Sequence, residues 1–150
     1  MSTKRIDIYQ VQANYYTPLI ELNNQLRRSS LELRELLLIY IRASQINGCA
    51  YCIQSHVKEA VELGEKQYRI HALSAWEDSP FFTEEEQVLL QLTEEVTSIS
   101  LRGITQKTYA RAQQLLDDSK ITDTIMAITC INSWNRIGRA TQLTPFKSQD

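Results

Sequence analysis

Apolar residues recur at helical spacing along nearly the whole chain, whereas the strict alternation that a β-strand requires is almost absent. The clearest helix follows Thr83, where Thr83 and Glu86 match a capping box and acidic residues crowd the first turn. One face of that segment carries the apolar stripe Val88, Leu92, Val96 and Ile99. The four glycines and three prolines are few, and they fall where helices are expected to end. The pattern predicts an all-α fold, a single-domain helical bundle of about seven helices.

The limits of the predicted helices follow from caps and helix breakers. The segments are residues 18–28, 30–48, 49–64, 65–80, 83–100, 105–116 and 122–141. Ser29 with Glu32 is a candidate capping box for the second segment, and Thr122 or Asp123 is a candidate cap for the last. The sixth segment is expected to bury one face, formed by Tyr109, Ala112 and Leu116. The second and last segments are apolar nearly all round, which places them in the core or at a subunit interface.

Length and charge describe an ordinary globular chain. A length of 150 residues suits one domain spanning residues 1–150. The net charge is −2, so the basic patch that binds nucleic acid or an anionic membrane surface is not predicted. The N-terminal residues lack the apolar stretch of a signal peptide, and the longest apolar run, residues 36–41, is too short to span a bilayer. We therefore expect a cytoplasmic protein.

Two cysteines and a histidine stand close together in "INGCAYCIQSHVKEA", residues 46–60. If residues 49–64 are helical, Cys52 lies about 60° and His56 about 20° from Cys49 around the helix axis, so all three share one face. Cys49 would occupy the first turn, where free N–H groups and the helix dipole favour a thiolate. His56 would stand one turn beyond Cys52, within hydrogen-bonding reach of its sulfur. Dithiol redox chemistry needs this combination of an activated thiolate, a second thiol and a base.

Zinc binding and inert packing are the alternatives for this constellation. In a reducing compartment a close cysteine pair is more often catalytic or metal-binding than structural, and an odd count of three cysteines does not suit a disulfide framework. A structural zinc site needs a fourth ligand, which would have to be His71, Cys130 or an acid at no recognisable spacing. Free cysteines often only pack in the core, which is the simplest interpretation of Cys130. His71 is expected to be a packed or surface residue.

Polar residues flank the motif and end the last segment. Ser44, Gln45 and Asn47 precede Cys49, and Asn132, Asn135 and Arg136 lie near the end of the chain. Two interpretations stay open for them. In the first, the residues of the last segment hold helix ends together or form a subunit contact. In the second, they line a pocket at the thiols, and the residues before Cys49 donate hydrogen bonds to a thiolate or a peroxide oxygen.

The stretch "RASQINGCAYCIQSH", with "ALSAW", "FFTEEE" and "INSWNR", resembles the carboxymuconolactone decarboxylase-like superfamily, and within it the alkyl hydroperoxidase D-like branch. The resemblance covers a core at about residues 30–140. It implies an all-α subunit that forms a homo-oligomer, a trimer or a hexamer. It also implies that Cys49 and Cys52 cycle between dithiol and disulfide, with His56 in a proton relay. The decarboxylase branch lacks the cysteine pair, so decarboxylation is not implied.

The chain departs from the family pattern at one position of this relay. The hydroperoxidase motif has a glutamate twelve residues before the first cysteine, and that position here is Leu37. Glu35 stands two residues away, which on a helix directs it to nearly the opposite face. A water molecule or another acid brought near by folding would have to replace the glutamate in the proton relay. Otherwise we expect a low peroxidase rate.

Together these features predict a thiol-dependent peroxidase that reduces a hydroperoxide through Cys49 and Cys52, with His56 transferring protons. Cys52 is the expected attacking thiol because His56 is one turn away, although the helix N-terminus favours Cys49. A separate dithiol would then reduce the disulfide. No cofactor, metal, nucleic acid or membrane partner is expected. The alternatives are a disulfide reductase and a redox-sensing or metal-binding helical module with little peroxidase activity.

Overall fold

The computed structural model describes residues 5–147, and over this range the fold is all-helical without a strand. Within that range the chain forms eight α-helices and one 3₁₀ helix. Their bounds are α1 Ile8–Leu26, α2 Leu33–Asn47, α3 Ala50–Glu62, α4 Gln67–Ala72, the 3₁₀ helix Leu73–Asp78, α5 Glu84–Thr97, α6 Ile99–Arg102, α7 Gln106–Leu115 and α8 Asp118–Thr141. The predicted all-α fold is confirmed.

Helix α2 lies at the centre of the bundle and packs against α3, α5 and α8. Every residue of its apolar run, 36–41, is at most 2% exposed. A large cluster of buried side chains joins α2 to α5, α7 and α8, and a smaller one joins it to α3, α5 and the 3₁₀ helix. Burial of a leucine or isoleucine side chain contributes about 1.5–3 kcal/mol. The position of α2, and of the point where it ends, is therefore strongly fixed.

The capping box of α2 differs from the predicted one. It consists of Glu32 and Glu35, not of Ser29 and Glu32. The Glu35 carboxylate accepts a hydrogen bond from the Glu32 N–H at 2.9 Å. The Ser29 hydroxyl instead accepts from the N–H of Leu31 at 3.2 Å, in a local turn before the helix. Short polar side chains often make such local bonds, which compete with capping of the following helix.

Helix α1 begins at Ile8, well before the predicted start at residue 18. The helix is interrupted at Gln12, where φ is −146°, and Pro18 lies inside it. Proline is favoured in the first turn of a helix, which is why its position predicts a start there. Residues 8–15 are largely exposed and carry no apolar stripe that would mark this first part of the helix.

Two of the predicted helical segments each contain two shorter helices. The segment 65–80 forms α4 and the 3₁₀ helix, and the segment 83–100 forms α5 and the start of α6. Helix α5 has the predicted capping box of Thr83 and Glu86. Because α5 ends at Thr97, Ile99 leaves the expected stripe and is 54% exposed.

The buried face of α7 was only partly predicted. Ala112 and Leu116 are buried, whereas Tyr109 is 37% exposed. Thr108 takes the inner position instead, because its hydroxyl donates a 2.7 Å hydrogen bond to the carboxylate of Glu95 on α5. This hydrogen bond to α5 thus holds Thr108 on the buried side of α7.

Helix α8 begins at Asp118, with Asp117 as its N-cap. The expected caps, Thr122 and Asp123, lie inside the helix. The Thr122 hydroxyl donates to the Asp118 carbonyl oxygen, and the Asp123 carboxylate accepts hydrogen bonds from the N–H and hydroxyl of Ser30. Asp123 therefore binds the chain ahead of α2 rather than its own helix. The apolar stretch of α8 contributes four fully buried residues to the core, Ala127, Ile128, Cys130 and Ile131.

Removal of the Asp117 side chain tests the start of α8. We expect Asp117→Ala to lower the free energy of unfolding by about 1 kcal/mol, because the N–H of Lys120 loses its 2.7 Å acceptor. Thr122→Ala is the matched control and should change it by less than about 0.5 kcal/mol, since alanine is favourable inside a helix. Urea unfolding of the disulfide-bonded protein measures both. A larger loss in Thr122→Ala than in Asp117→Ala would contradict this N-cap.

Candidate redox site

The chain passes from α2 into α3 through a single glycine. Gly48 has a φ of +65°, in the left-handed region that glycine adopts at little steric cost. This turn allows the N–H of Cys49 to donate to the Ser44 carbonyl oxygen at 3.0 Å. Cys49 is then the N-cap of α3, and its carbonyl oxygen accepts the hydrogen bond of the Ile53 N–H. The sequence places Cys49 correctly at the N-terminus of a helix.

Cys49 and Cys52 are joined by a disulfide bond across the first turn of α3. Their Cα atoms are 5.3 Å apart, a usual separation for a disulfide. Cys49 is 2% exposed and Cys52 is 6% exposed. The spacing singled out in the sequence thus brings the two sulfurs together at a helix N-terminus, as in dithiol redox motifs.

Gly138 of α8 lies directly against both sulfurs. A Cβ atom at this position would be 3.0 Å from Cys49 Sγ and 3.4 Å from Cys52 Sγ. Glycine inside a helix is less stable than alanine by about 1 kcal/mol, so a glycine here indicates that the helix backbone must approach the disulfide closely. Gly138 was not among the predicted site residues. An isolated glycine within a strong helical pattern was the available signal.

His56 lies one turn beyond Cys52 on α3 but forms no hydrogen bond with its sulfur. Its Nδ1 atom is buried without a hydrogen-bond partner. The imidazole meets the Tyr40 ring edge-on, with ring centroids 5.0 Å apart. Burial, and secondarily the positive charge of Arg27, lowers the pKa of His56 to about 4. The imidazole is therefore neutral at pH 7, the state in which a histidine can accept a proton.

Within residues 5–147, no carboxylate is hydrogen-bonded to Nδ1 of His56. Leu37, at the position of the family glutamate, is 1% exposed and packs in an apolar cluster that includes Ala60 of α3. Glu35 caps α2 and forms a 2.8 Å ion pair with Lys120, so it has other partners. The acidic member of the expected relay thus has no substitute at the histidine among these side chains.

A cleft of about 460 Å³ opens beside Cys49. Its walls are residues 48–50 at the junction of α2 and α3, residues 138–139 and 142–145 around the end of α8, and Arg5. Gly138 also lies against Cys49 Sγ, so the cleft leads towards this sulfur. Cys52 does not line it.

The segment after α8 forms one wall of the cleft. Gln142 ends the helix with a φ of +55°, and the Leu143 N–H donates to the Gly138 carbonyl oxygen at 2.9 Å. Further on, the Gln54 side chain binds the backbone of Phe146, accepting from its N–H at 2.9 Å and donating to its carbonyl oxygen. The chain after α8 is thus held against α3 as far as Phe146. The rest of it, 148–150, lies outside the described residues.

A network of side-chain amides links the end of α2 to α8. Asn47 donates to the side-chain oxygens of Asn132 and Asn135, each at 2.9 Å. Asn135 in turn donates to the Ser44 hydroxyl at 2.9 Å. None of these residues lines the cleft beside Cys49. The geometry therefore favours the first interpretation of these polar residues, in which they hold helix ends together.

The third cysteine and the second histidine stand apart from this site. Cys130 is fully buried in α8, and burial raises the pKa of its thiol. His71 is exposed at the end of α4. Among the described side chains, no group of three or more His, Cys, Asp or Glu residues could hold a metal ion. Over residues 5–147, no helix has both the length and the apolar character needed to cross a bilayer.

Known proteins share both this sequence and this fold. The model of the Carboxymuconolactone decarboxylase family matches residues 13–95. The uncharacterized protein YdfG of Bacillus subtilis (strain 168) is 33% identical over 138 residues, which are 92% of this chain and 94% of YdfG. A crystal structure of a protein of unknown function from Agrobacterium tumefaciens, described as a candidate antioxidant defence protein AhpD, has a TM-score of 0.93 at 33% identity. That match covers 97% of this chain and 100% of the other.

A more distant structure shows the same fold. The AhpD core of an uncharacterized peroxidase-related protein from Ralstonia eutropha JMP134 has a TM-score of 0.79 at 13% identity, over 93% of this chain and 74% of the other. The chain therefore belongs to the carboxymuconolactone decarboxylase family and, with its Cys49–Cys52 pair, to the AhpD-like branch of the superfamily.

The contact between Gly138 and the disulfide leads to a stability prediction. We expect Gly138→Ala to lower the free energy of unfolding of the oxidised protein by about 1–3 kcal/mol, because the added methyl group overpacks the two sulfurs. The same change in a Cys49→Ala/Cys52→Ala background is the control. There the sulfurs are absent, and alanine should stabilise the helix by about 1 kcal/mol. Urea unfolding compares the two backgrounds, and equal effects in both would contradict the proposed contact.

The lowered pKa of His56 predicts a pH-dependent stability. In the unfolded chain His56 binds a proton below its ordinary pKa of about 6.5, whereas in the folded chain it binds one only near pH 4. The free energy of unfolding therefore falls as the pH falls through this window. Between pH 7 and 5 the wild type should lose about 2 kcal/mol more than His56→Gln. His71→Gln, which removes the exposed histidine, is the control. Urea unfolding at both pH values tests this, and an unchanged slope in His56→Gln would refute it.

Proposed function

We propose that this protein is a thiol-dependent peroxidase that reduces hydroperoxides through a dithiol–disulfide cycle of Cys49 and Cys52. The observation that carries the proposal is the disulfide at the N-terminus of α3, with a neutral histidine one turn further along the same helix. The antioxidant description of the Agrobacterium relative, which is 33% identical over nearly the whole chain, supports the same chemistry.

The structure corresponds to the oxidised state of this cycle. In the reduced state the N-terminal N–H groups of α3 and its dipole would stabilise a thiolate on the first turn. We propose that the Cys52 thiolate attacks the peroxide, forming an S–O bond while the O–O bond breaks and the alkoxide leaves as an alcohol. The Cys49 thiolate then attacks the Cys52 sulfenic acid, forming the disulfide and releasing water. A dithiol reductant returns two electrons and restores both thiols.

His56 is proposed to accept the thiol proton and later return it to the leaving oxygen. Its neutral state at pH 7 suits the first of these roles. Its unpartnered Nδ1, however, means that no carboxylate holds the ring in one tautomer or stabilises the imidazolium. We therefore expect a slow peroxidase step.

One observation favours a second candidate, a disulfide reductase. The missing acid at Leu37 affects proton transfer to a peroxide oxygen, whereas thiol–disulfide exchange at Cys49, which lines the cleft, expels a thiolate and needs no proton at an oxygen. The dithiol reductant and the homo-oligomer, a trimer or a hexamer, stay predictions. The absence of a cofactor is likewise an expectation.

The peroxidase proposal is tested by adding one equivalent of cumene hydroperoxide to the reduced protein and following free thiols and intact mass. We expect two thiols to disappear as an intramolecular disulfide forms, and both Cys49→Ser and Cys52→Ser to abolish it. If Cys52 attacks, the Cys49→Ser variant accumulates the sulfenic acid, because the resolving thiol is missing.

Cys130→Ala is the matched control for this experiment, because it removes a cysteine that lies outside the pair. It should react like the wild type. Slow or absent thiol loss, combined with rapid reduction of the disulfide by small thiols, would exclude the peroxidase and leave the disulfide reductase. Trapping of the sulfenic acid in Cys52→Ser instead would reverse the order of the two cysteines.

A further inference from the structure

The cleft beside Cys49 carries positive charge. Two arginines, Arg5 and Arg139, line it, and none of its lining residues is acidic. Arg5 is fixed in place by a 2.8 Å hydrogen bond from its guanidinium to the Ala140 carbonyl oxygen. Arg139 is exposed, and no ion pair within residues 5–147 includes it. Since the whole chain has a net charge of −2, this positive potential is local to the cleft.

The same cleft borders one cysteine of the disulfide. Cys49 lines it and Cys52 does not. Gly138, which also lines the cleft, lies closer to Cys49 Sγ than to Cys52 Sγ. A molecule that enters the cleft while the disulfide is intact therefore lies beside Cys49, which is itself 2% exposed. In the oxidised state the reaction open to such a molecule is thiol–disulfide exchange.

The volume of the cleft suits a small molecule. About 460 Å³ lies within the usual range of small-ligand pockets, about 300–1,000 Å³. The segment of residues 142–145 closes one side of the cleft and is anchored by the hydrogen bonds between Gln54 and Phe146. These ordered walls and the limited volume favour a small thiol over a protein surface as the occupant of the cleft.

We propose that the cleft binds a low-molecular-weight thiol that bears an anionic group, and that this thiol reduces the disulfide by attack on Cys49. The reductant thiolate forms a bond to Cys49 Sγ, the Cys49–Cys52 bond breaks, and Cys52 leaves as a thiolate. A second thiolate, on the same molecule where the reductant is a dithiol and on another molecule of the same class otherwise, then attacks the reductant sulfur of the mixed disulfide and releases the Cys49 thiolate. The reductant loses two electrons, the protein gains two, and Arg5 and Arg139 bind the anionic group.

This inference rests on the proposed disulfide cycle and extends it. It names the charge of the reductant and the sulfur that the reductant attacks. Attack on Cys49 releases Cys52, the thiol that we propose reacts with the next peroxide. The assignment is therefore consistent with the order of the two cysteines in the cycle.

The test measures the rate of reduction of the protein disulfide by three thiols of similar size, without any hydroperoxide. The thiols are 3-mercaptopropionate, 2-mercaptoethanol and cysteamine, whose thiolates carry total charges of −2, −1 and 0. Each rate is measured for the wild type and for Arg139→Gln. The ratio of these two rates is then compared among the three thiols, because the intrinsic reactivity of a thiol cancels in its own ratio. We expect Arg139→Gln to slow 3-mercaptopropionate about threefold or more, 2-mercaptoethanol less, and cysteamine not at all.

Two controls make the result specific. Arg28→Gln removes the same charge from an exposed arginine that does not line the cleft, and it should leave all three rates within about 1.5-fold. Raising the ionic strength from about 0.01 M to about 1 M shortens the Debye length from about 30 Å to about 3 Å and should remove the difference between wild type and Arg139→Gln. The double variant Arg5→Gln/Arg139→Gln should show the larger loss.

Mass spectrometry of the quenched reaction locates the mixed disulfide, which we expect on Cys49. The proposal is overturned if the three ratios are equal, if Arg28→Gln has the effect of Arg139→Gln, or if the adduct forms on Cys52. Because no peroxide is present, these outcomes do not depend on peroxidase activity. If the peroxidase experiment fails, the rates of disulfide reduction by the three thiols can still be interpreted.

Discussion

The candidate site depends first on the burial of α2. This helix contributes six consecutive residues that are almost inaccessible to solvent, because α3, α5 and α8 enclose it on all sides. Its C-terminal end is therefore fixed, and the left-handed turn at Gly48 carries the chain directly into α3. Cys49 owes its place at a helix N-terminus to this geometry. The chemistry proposed for the cysteine pair thus begins with the packing of leucines and isoleucines several turns away.

Helix α8 supplies the second constraint. It packs against α2 through the core, and the amides of Asn47, Asn132 and Asn135 tie the end of α2 to it. Because this contact is close, the residue of α8 beside the disulfide must be small, and Gly138 is the residue found there. The same helix end presents Arg139 and begins the segment that forms the cleft wall. Helix α8 thus packs against the disulfide through Gly138 and also lines the cleft beside Cys49.

Local features of the site could be predicted from the sequence, and features that join distant segments could not. The shared face of Cys49, Cys52 and His56 follows from helical spacing, and so does the Thr83 capping box. Gly138, Arg5 and Arg139 are 89, 44 and 90 positions away from Cys49, so only the fold shows that they surround it. The N-cap of α8 was misassigned for a similar reason, since Asp123 binds Ser30 rather than its own helix. The early start of α1 was missed because exposed residues carry no apolar pattern.

The absence of an acid at His56 affects the two halves of the cycle differently. Reduction of a peroxide needs a proton at the leaving oxygen, and a histidine with a pKa of about 4 is a poor proton store at neutral pH. A carboxylate beside the imidazole would raise the pKa of His56 by stabilising the imidazolium, but Nδ1 has no such partner, and a buried leucine occupies position 37. Exchange at Cys49 expels a thiolate instead, and the N-terminal N–H groups of α3 stabilise it without a proton donor. In the proposed cycle, leucine at position 37 therefore weakens the oxidative half-reaction and leaves the reductive one intact. We therefore expect peroxide attack, rather than regeneration of the dithiol, to limit the rate of the proposed cycle.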